Sequence, residues 1–115
     1  MDWNIIYMIY FRAGYLLLNR KIYYEDCEKY LNKAYILIEG KNFNFECIIL
    51  HYLYILYYEN SNKEKLKIIE DKINKNLNEF FGNTFLKDKL LDIYKERKNI
   101  QLLNELNKKV KYLNY

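Results

Sequence analysis

The residues that could do chemistry are few. His51 is the single histidine, and it stands in ILHYL between Leu50 and Tyr52. A catalytic imidazole needs a group to orient it and a nucleophile within hydrogen-bond reach. No aspartate stands near it in the chain, and Ser61 lies in a turn sequence where its hydroxyl is expected to cap a helix. His51 therefore reads as a core or interface histidine. Paired carboxylates occur only as Glu25-Asp26 and Glu70-Asp71. Neighbours on a helix point about 100° apart, so neither pair forms an acid/base couple. Glu25, Asp26 and Glu28 instead suit the positive start of their own helix.

Cys27 and Cys47 give neither a disulfide framework nor a paired metal-ligand spacing. Both lie in apolar helical surroundings, so buried free thiols are expected, which fits a reducing, cytoplasmic location. The chain holds no GxGxxG, phosphate-loop, HExxH or CxxC pattern. The expectation is a non-enzymatic protein without metal, cofactor or small-molecule substrate.

Phosphate contact is the remaining chemistry. Lys95, Arg97 and Lys98 close one predicted helix, and Lys108, Lys109 and Lys111 close the next. Cations at helix C-termini complement the dipole, and that alone explains such placement. The tail KKVKYLNY also interleaves three lysines with Tyr112 and Tyr115, a pattern able to hold a phosphate backbone and stack on unpaired bases. Without Gly-rich or Arg-rich signatures it would touch the backbone of structured RNA, such as rRNA, rather than read sequence.

The elements that must position these residues are helical. The chain has 115 residues, no proline and three glycines, which argues against a turn-rich β fold and for one all-α domain, residues 1–115. Abundant Lys, Asn, Ile and Tyr look like an AT-rich coding bias, which discounts a functional reading of their totals. The charge is unevenly spread: residues 1–60 carry a net −1 and 61–115 a net +5, while eleven of the fourteen tyrosines precede Asn60. An aromatic, core-forming half (1–60) is thus followed by an amphipathic, basic half (61–115).

About six antiparallel helices, packed as helical hairpins, are predicted. They run from Trp3 to Leu18 with Asp2 as cap, from Tyr23 to Glu39 ending at Gly40, and from Phe45 to Glu59 capped by Asn44. The fourth spans Ser61 to Phe81, opened by a Ser61-x-x-Glu64 capping box and ended by Gly82; a fifth covers Thr84–Lys98, and a sixth runs from Asn99 to Leu113. The third is apolar nearly all round, so it is central or covered by a partner. Its apolar run, Phe45–Tyr58, is too short for the roughly 20 residues of a membrane span and contains Glu46 and His51. Asp2 and Arg12 argue against a signal peptide, so neither membrane nor secretion is expected.

Within the second helix, Tyr24 is followed by Glu25 and Asp26, and small Cys27 and Ala34 flank the larger Leu31 at a seven-residue separation. In the first helix Gly14 offers another small site. This arrangement resembles a tetratricopeptide repeat, a pair of helices that approach closely at small residues around a large wedge. The resemblance covers one degenerate repeat, about residues 3–39; the next pair has matching lengths but no such small residues. It implies a right-handed stack of helical pairs, the alternative being an unrelated compact bundle. It also implies binding to a peptide or neighbouring subunit. Similar degenerate repeats occur in scaffold subunits of proteasome-lid-like and mRNA-export-like complexes.

Two functions follow as expectations. One is a module docked on a larger protein or ribonucleoprotein assembly, with Trp3, Tyr7, Tyr52, Tyr54, Tyr57 and Tyr58 as its protein interface. The other is a ribosome- or RNA-associated factor that uses the basic C-terminal residues.

Overall fold

The computed structural model describes residues 3–21 and 23–75, together with the single helical positions 92, 95 and 104. The chain divides into two compact units, Met1–Ile73 and Asn74–Tyr115. The first contains four helices: α1 (Trp3–Arg20), α2 (Tyr24–Ile38), α3 (Phe43–Glu59) and α4, which runs past its end (Lys63–Lys75). The described residues are thus all-helical, without strands. Of the predicted fifth and sixth helices only the helical positions 92, 95 and 104 are described. The rest of both, the extension of the fourth from residue 76 to Phe81, Gly82 and the Asp2 cap lie outside the described residues.

Cross-helix contacts fix the directions. Tyr10 of α1 stacks on Tyr30 of α2 (6.2 Å between ring centres), with Lys33 over the Tyr10 ring, whereas Gly14, farther along α1, meets Cys27 and Leu31, earlier in α2. The two helices are therefore antiparallel. Between α1 and α3 the order runs the same way: Tyr7 stacks on Phe45, and Phe11 and Tyr15 both meet Tyr52 edge-on, each pair at 5.5 Å. These helices are parallel. In α4, Lys65 pairs with Glu28 (2.8 Å) and Lys72 lies over the Tyr35 ring, so α4 runs parallel to α2. The result is two helical hairpins, each helix aligned with its counterpart in the other.

The core reflects the residue types. The small surfaces of Gly14 and Cys27 let α1 and α2 approach, Leu31, fully buried, fills the space beside Gly14, and Ala34 is buried one turn further along α2. The Cys27 thiol donates to the Gly14 carbonyl (3.2 Å), a contact that only a close helix crossing permits. On the α3 side, Tyr7, Phe11 and Tyr15 stack at successive i,i+4 steps along α1. Such ring pairs add about 0.5–1.5 kcal/mol each beyond area burial. All eleven residues from Cys47 to Tyr57 are buried, which makes α3 the central helix. The Ile69–Ile73 stripe of α4 is buried too, so this charged helix belongs with the aromatic unit, and the division falls at 73/74 rather than at the change of composition near residue 60.

Two caps differ from expectation by one or two residues. Asn42, not Asn44, caps α3 by accepting from the Phe45 N–H (3.1 Å); Asn44 lies inside the first turn. Asn62, not Ser61, caps α4 by accepting from the Lys65 N–H (3.1 Å). Ser61 has φ +60°, a left-handed turn position that cannot also serve as the extended cap of a capping box. Gly40 just past α2 has φ +76°, the conformation for which glycine is favoured there.

The α1–α2 connection is strained by comparison. Lys21 (φ 57°) and Tyr23 (φ 53°) both occupy the left-handed region, and Tyr23 makes no side-chain cap bond. Non-glycine residues pay about 1 kcal/mol or more to stand there. Lys21→Gly and Tyr23→Gly are each expected to raise stability, or leave it unchanged, by up to about 1 kcal/mol once glycine's larger unfolded-state entropy is subtracted. Denaturant unfolding checks this; a loss above that size would show that the side chains contribute to the turn.

Candidate interaction surface

Helix α1 is apolar on two opposite sides. Tyr7, Gly14 and Leu18, at i, i+7 and i+11, face the neighbouring helices and are buried. Ile5, Ile9 and Leu16, at i, i+4 and i+11, lie about half a turn away around the axis. They are 55%, 57% and 52% exposed, with Met8 beside them at 36%. Large aliphatic side chains standing singly on a surface are ordinary, whereas a contiguous stripe along one helix marks an interaction site.

Arg12 lies inside this stripe and is exposed; Asn19 and Arg20 flank its C-terminal end. None of the eighteen residues of α1 is acidic. Ion pairs recorded among the described residues join Lys65 to Glu28 and Lys67 to Asp71 (3.3 Å), away from α1. The stripe is therefore an apolar surface with positive charge set into it.

The residues expected at a protein interface are placed otherwise. Tyr7, Tyr52, Tyr54 and Tyr57 are buried within the chain, so they form core and offer no surface. Tyr58 is half-buried and stacks on Tyr54 (6.4 Å). The Trp3 side chain is outside the described residues. Tyrosine misleads here because its ring packs like phenylalanine while its hydroxyl reaches a polar neighbour. Tyr35 hydrogen-bonds Glu39, and Tyr57 reaches Glu28 and Asn32. Burial, with these carboxylates adding to it, pushes both phenols up to about 12; burial alone does so for Tyr7.

Of the repeat-packing residues, Gly14, Cys27 and Leu31 meet at the α1–α2 crossing, Ala34 is buried in α2, and Tyr24 is half-buried at the start of α2. Cys27 and Cys47 are both buried, and neither forms a disulfide. His51 is buried in mid-α3, and about 12 Å of helix separates it from Glu59, so exposed Ser61 beyond that end is not brought to it. Among the described residues no group of His, Cys, Asp or Glu converges as metal ligands would, and no helix is long and apolar enough to cross a membrane. Of the candidate phosphate contacts, Lys95 is helical and exposed. Arg97, Lys98, Lys108, Lys109, Lys111, Tyr112 and Tyr115 lie outside the described residues.

The α1 stripe was missed in the sequence because every face of that helix reads as apolar. Its signal was present nonetheless, since Ile5, Ile9 and Leu16 fall on a helical wheel opposite Tyr7, Gly14 and Leu18, and one helix cannot bury both faces against a single side. No protein-family model, curated protein or solved structure matches the chain.

Proposed function

We propose that this chain is a non-enzymatic α-helical binding module that docks on a larger protein or ribonucleoprotein assembly through the outer face of α1. The observation that carries this reading is the stripe of Ile5, Ile9 and Leu16, each more than half exposed on a helix whose opposite face is already buried. Burying aliphatic groups of this kind stabilises association by about 25 cal/mol per Å² removed from water, before the costs of association. The parallel alignment of α1 with α3 and of α2 with α4, together with the close crossing at Gly14, supports a tetratricopeptide-like reading of the unit. On that reading the outer face of α1 is a surface against which a neighbouring helical element or a partner stacks.

A second reading, contact with an RNA backbone such as rRNA through the basic C-terminal residues, is favoured by the net +5 of residues 61–115 and by the exposure of Lys95. The described cations of α4 are partly engaged inside the protein, Lys65 with Glu28 and Lys72 over Tyr35, which places the weight of this reading on the tail.

The two are separated by capturing partners from native lysate on the immobilised full chain, with and without nuclease. Ile5→Gln/Ile9→Gln changes only exposed positions and is expected to alter stability by no more than about 0.5 kcal/mol. It should reduce capture about tenfold or more, whereas nuclease should leave capture intact. If nuclease or Lys108→Ala/Lys109→Ala/Lys111→Ala removes the partner and the glutamine variant retains it, the RNA reading replaces the docking one.

A further inference from the structure

Resting on the docking reading, we infer that the occupant of the α1 outer face is an acidic amphipathic helix of a partner protein, whose aliphatic stripe covers Ile5, Ile9 and Leu16 and whose carboxylates pair with Arg12 and Arg20. The spacing i, i+4, i+11 on α1 is a straight row along one helix, and the element that covers such a row with regular contacts is another helix lying along it. Arg12 interrupts the row between Ile9 and Leu16, so a covering helix must leave room for a guanidinium and satisfy it. A carboxylate does this best, because it accepts two parallel N–H bonds from the planar fork.

Charge also selects against the simplest alternative. Two copies of α1 stacked antiparallel on this face would bring the two Arg12 side chains within about a helical turn of each other, near the middle of the contact. With no acidic residue anywhere in α1, nothing on that helix would neutralise them. Like charges brought together in a partly desolvated interface oppose association.

The test uses two synthetic peptides as long as α1 (18 residues). Both carry leucines at i, i+4, i+7 and i+11; one has glutamates flanking the stripe and the other lysines at the same positions. Binding to the full chain is read by fluorescence anisotropy at low and moderate salt. The glutamate peptide is expected to bind about tenfold more tightly at low salt, with the preference shrinking as salt rises. Arg12→Glu should reverse the preference, and Ile5→Gln/Ile9→Gln should remove binding of both peptides. Equal binding of the two peptides, lost in the glutamine variant, would overturn the acidic partner while leaving the docking face standing. Self-association of the chain that is lost in the glutamine variant, without peptide binding, would overturn it in favour of a second copy. Binding only to phosphatidylserine-containing vesicles would overturn it in favour of a membrane surface. If none of these probes engages the stripe, the acidic-helix inference falls, while the docking reading is decided separately by the effect of Ile5→Gln/Ile9→Gln on capture.

Discussion

Gly14→Ala is expected to lower the stability of the chain by about 1–3 kcal/mol, the cost of overpacking a filled core. Alanine is otherwise the better helix former by about 1 kcal/mol, so local propensity alone predicts the opposite sign. Packing decides the sign. A Cβ at position 14 would stand 2.7 Å from Leu31 Cγ, 2.8 Å from Cδ2 and 3.2 Å from the Leu31 backbone nitrogen. Leu31 is fully buried and cannot swing aside, and the backbone contact would force α1 and α2 apart. That movement would also stretch the Cys27–Gly14 hydrogen bond. Leu31→Ala by itself is expected to cost about 2–5 kcal/mol through the cavity it leaves. Because the new methyl and the lost side chain occupy the same space, the double variant should be more stable than the sum of the single effects by about 1 kcal/mol or more. Denaturant unfolding of the four chains measures this coupling. Additive effects would mean that Gly14 and Leu31 do not meet.

Alkaline unfolding between pH 10 and 12 is the second large effect. Tyr7, Tyr35 and Tyr57 have phenols pushed up to about 12, chiefly by burial. In the unfolded chain these groups ionise near 10. Below pH 10 both states hold the three protons, and the stability is fully present. Between 10 and 12 the unfolded chain releases protons that the folded chain retains, so stability falls with rising pH. Each unit of offset is worth about 1.36 kcal/mol per group, and three buried groups together remove on the order of several kcal/mol, a large fraction of a small domain's stability. Loss of the helical circular-dichroism signal should coincide with a step in tyrosinate absorbance. Tyr7→Phe should flatten the alkaline decline and leave stability near neutral pH within about 1 kcal/mol. Retention of the helical signal to pH 12 with all phenols ionised would contradict the burial of these rings.

What the sequence makes legible is tied to strong local signals. Cys27, Leu31 and Ala34 announce a close helix crossing because their sizes alternate small, large, small on one face, and Gly40 announces a helix end because few other residues tolerate its φ. Caps are less legible where asparagines repeat. Asn42 and Asn44, or Asn60, Ser61 and Asn62, differ by single backbone steps, and which one caps depends on how the preceding turn closes. The proposed interaction surface is the least legible part. Tyr52, Tyr54 and Tyr57 stand on a helix whose every face is buried, and Ile5 and Ile9 stand on one that packs from a single side. Composition is similar in the two helices, and only tertiary arrangement separates core from surface.

The central claim is that the outer face of α1 is covered when the chain joins its partner. Carbene footprinting of the free chain and of the chain captured in its assembly tests this most directly. Labelling of Met8, Ile9 and Leu16 should fall severalfold on assembly, while exposed Ile36 of α2 and Ile68 of α4, which lie off this face, keep theirs. Unchanged labelling along α1, with protection confined to residues beyond Ile73, would contradict it.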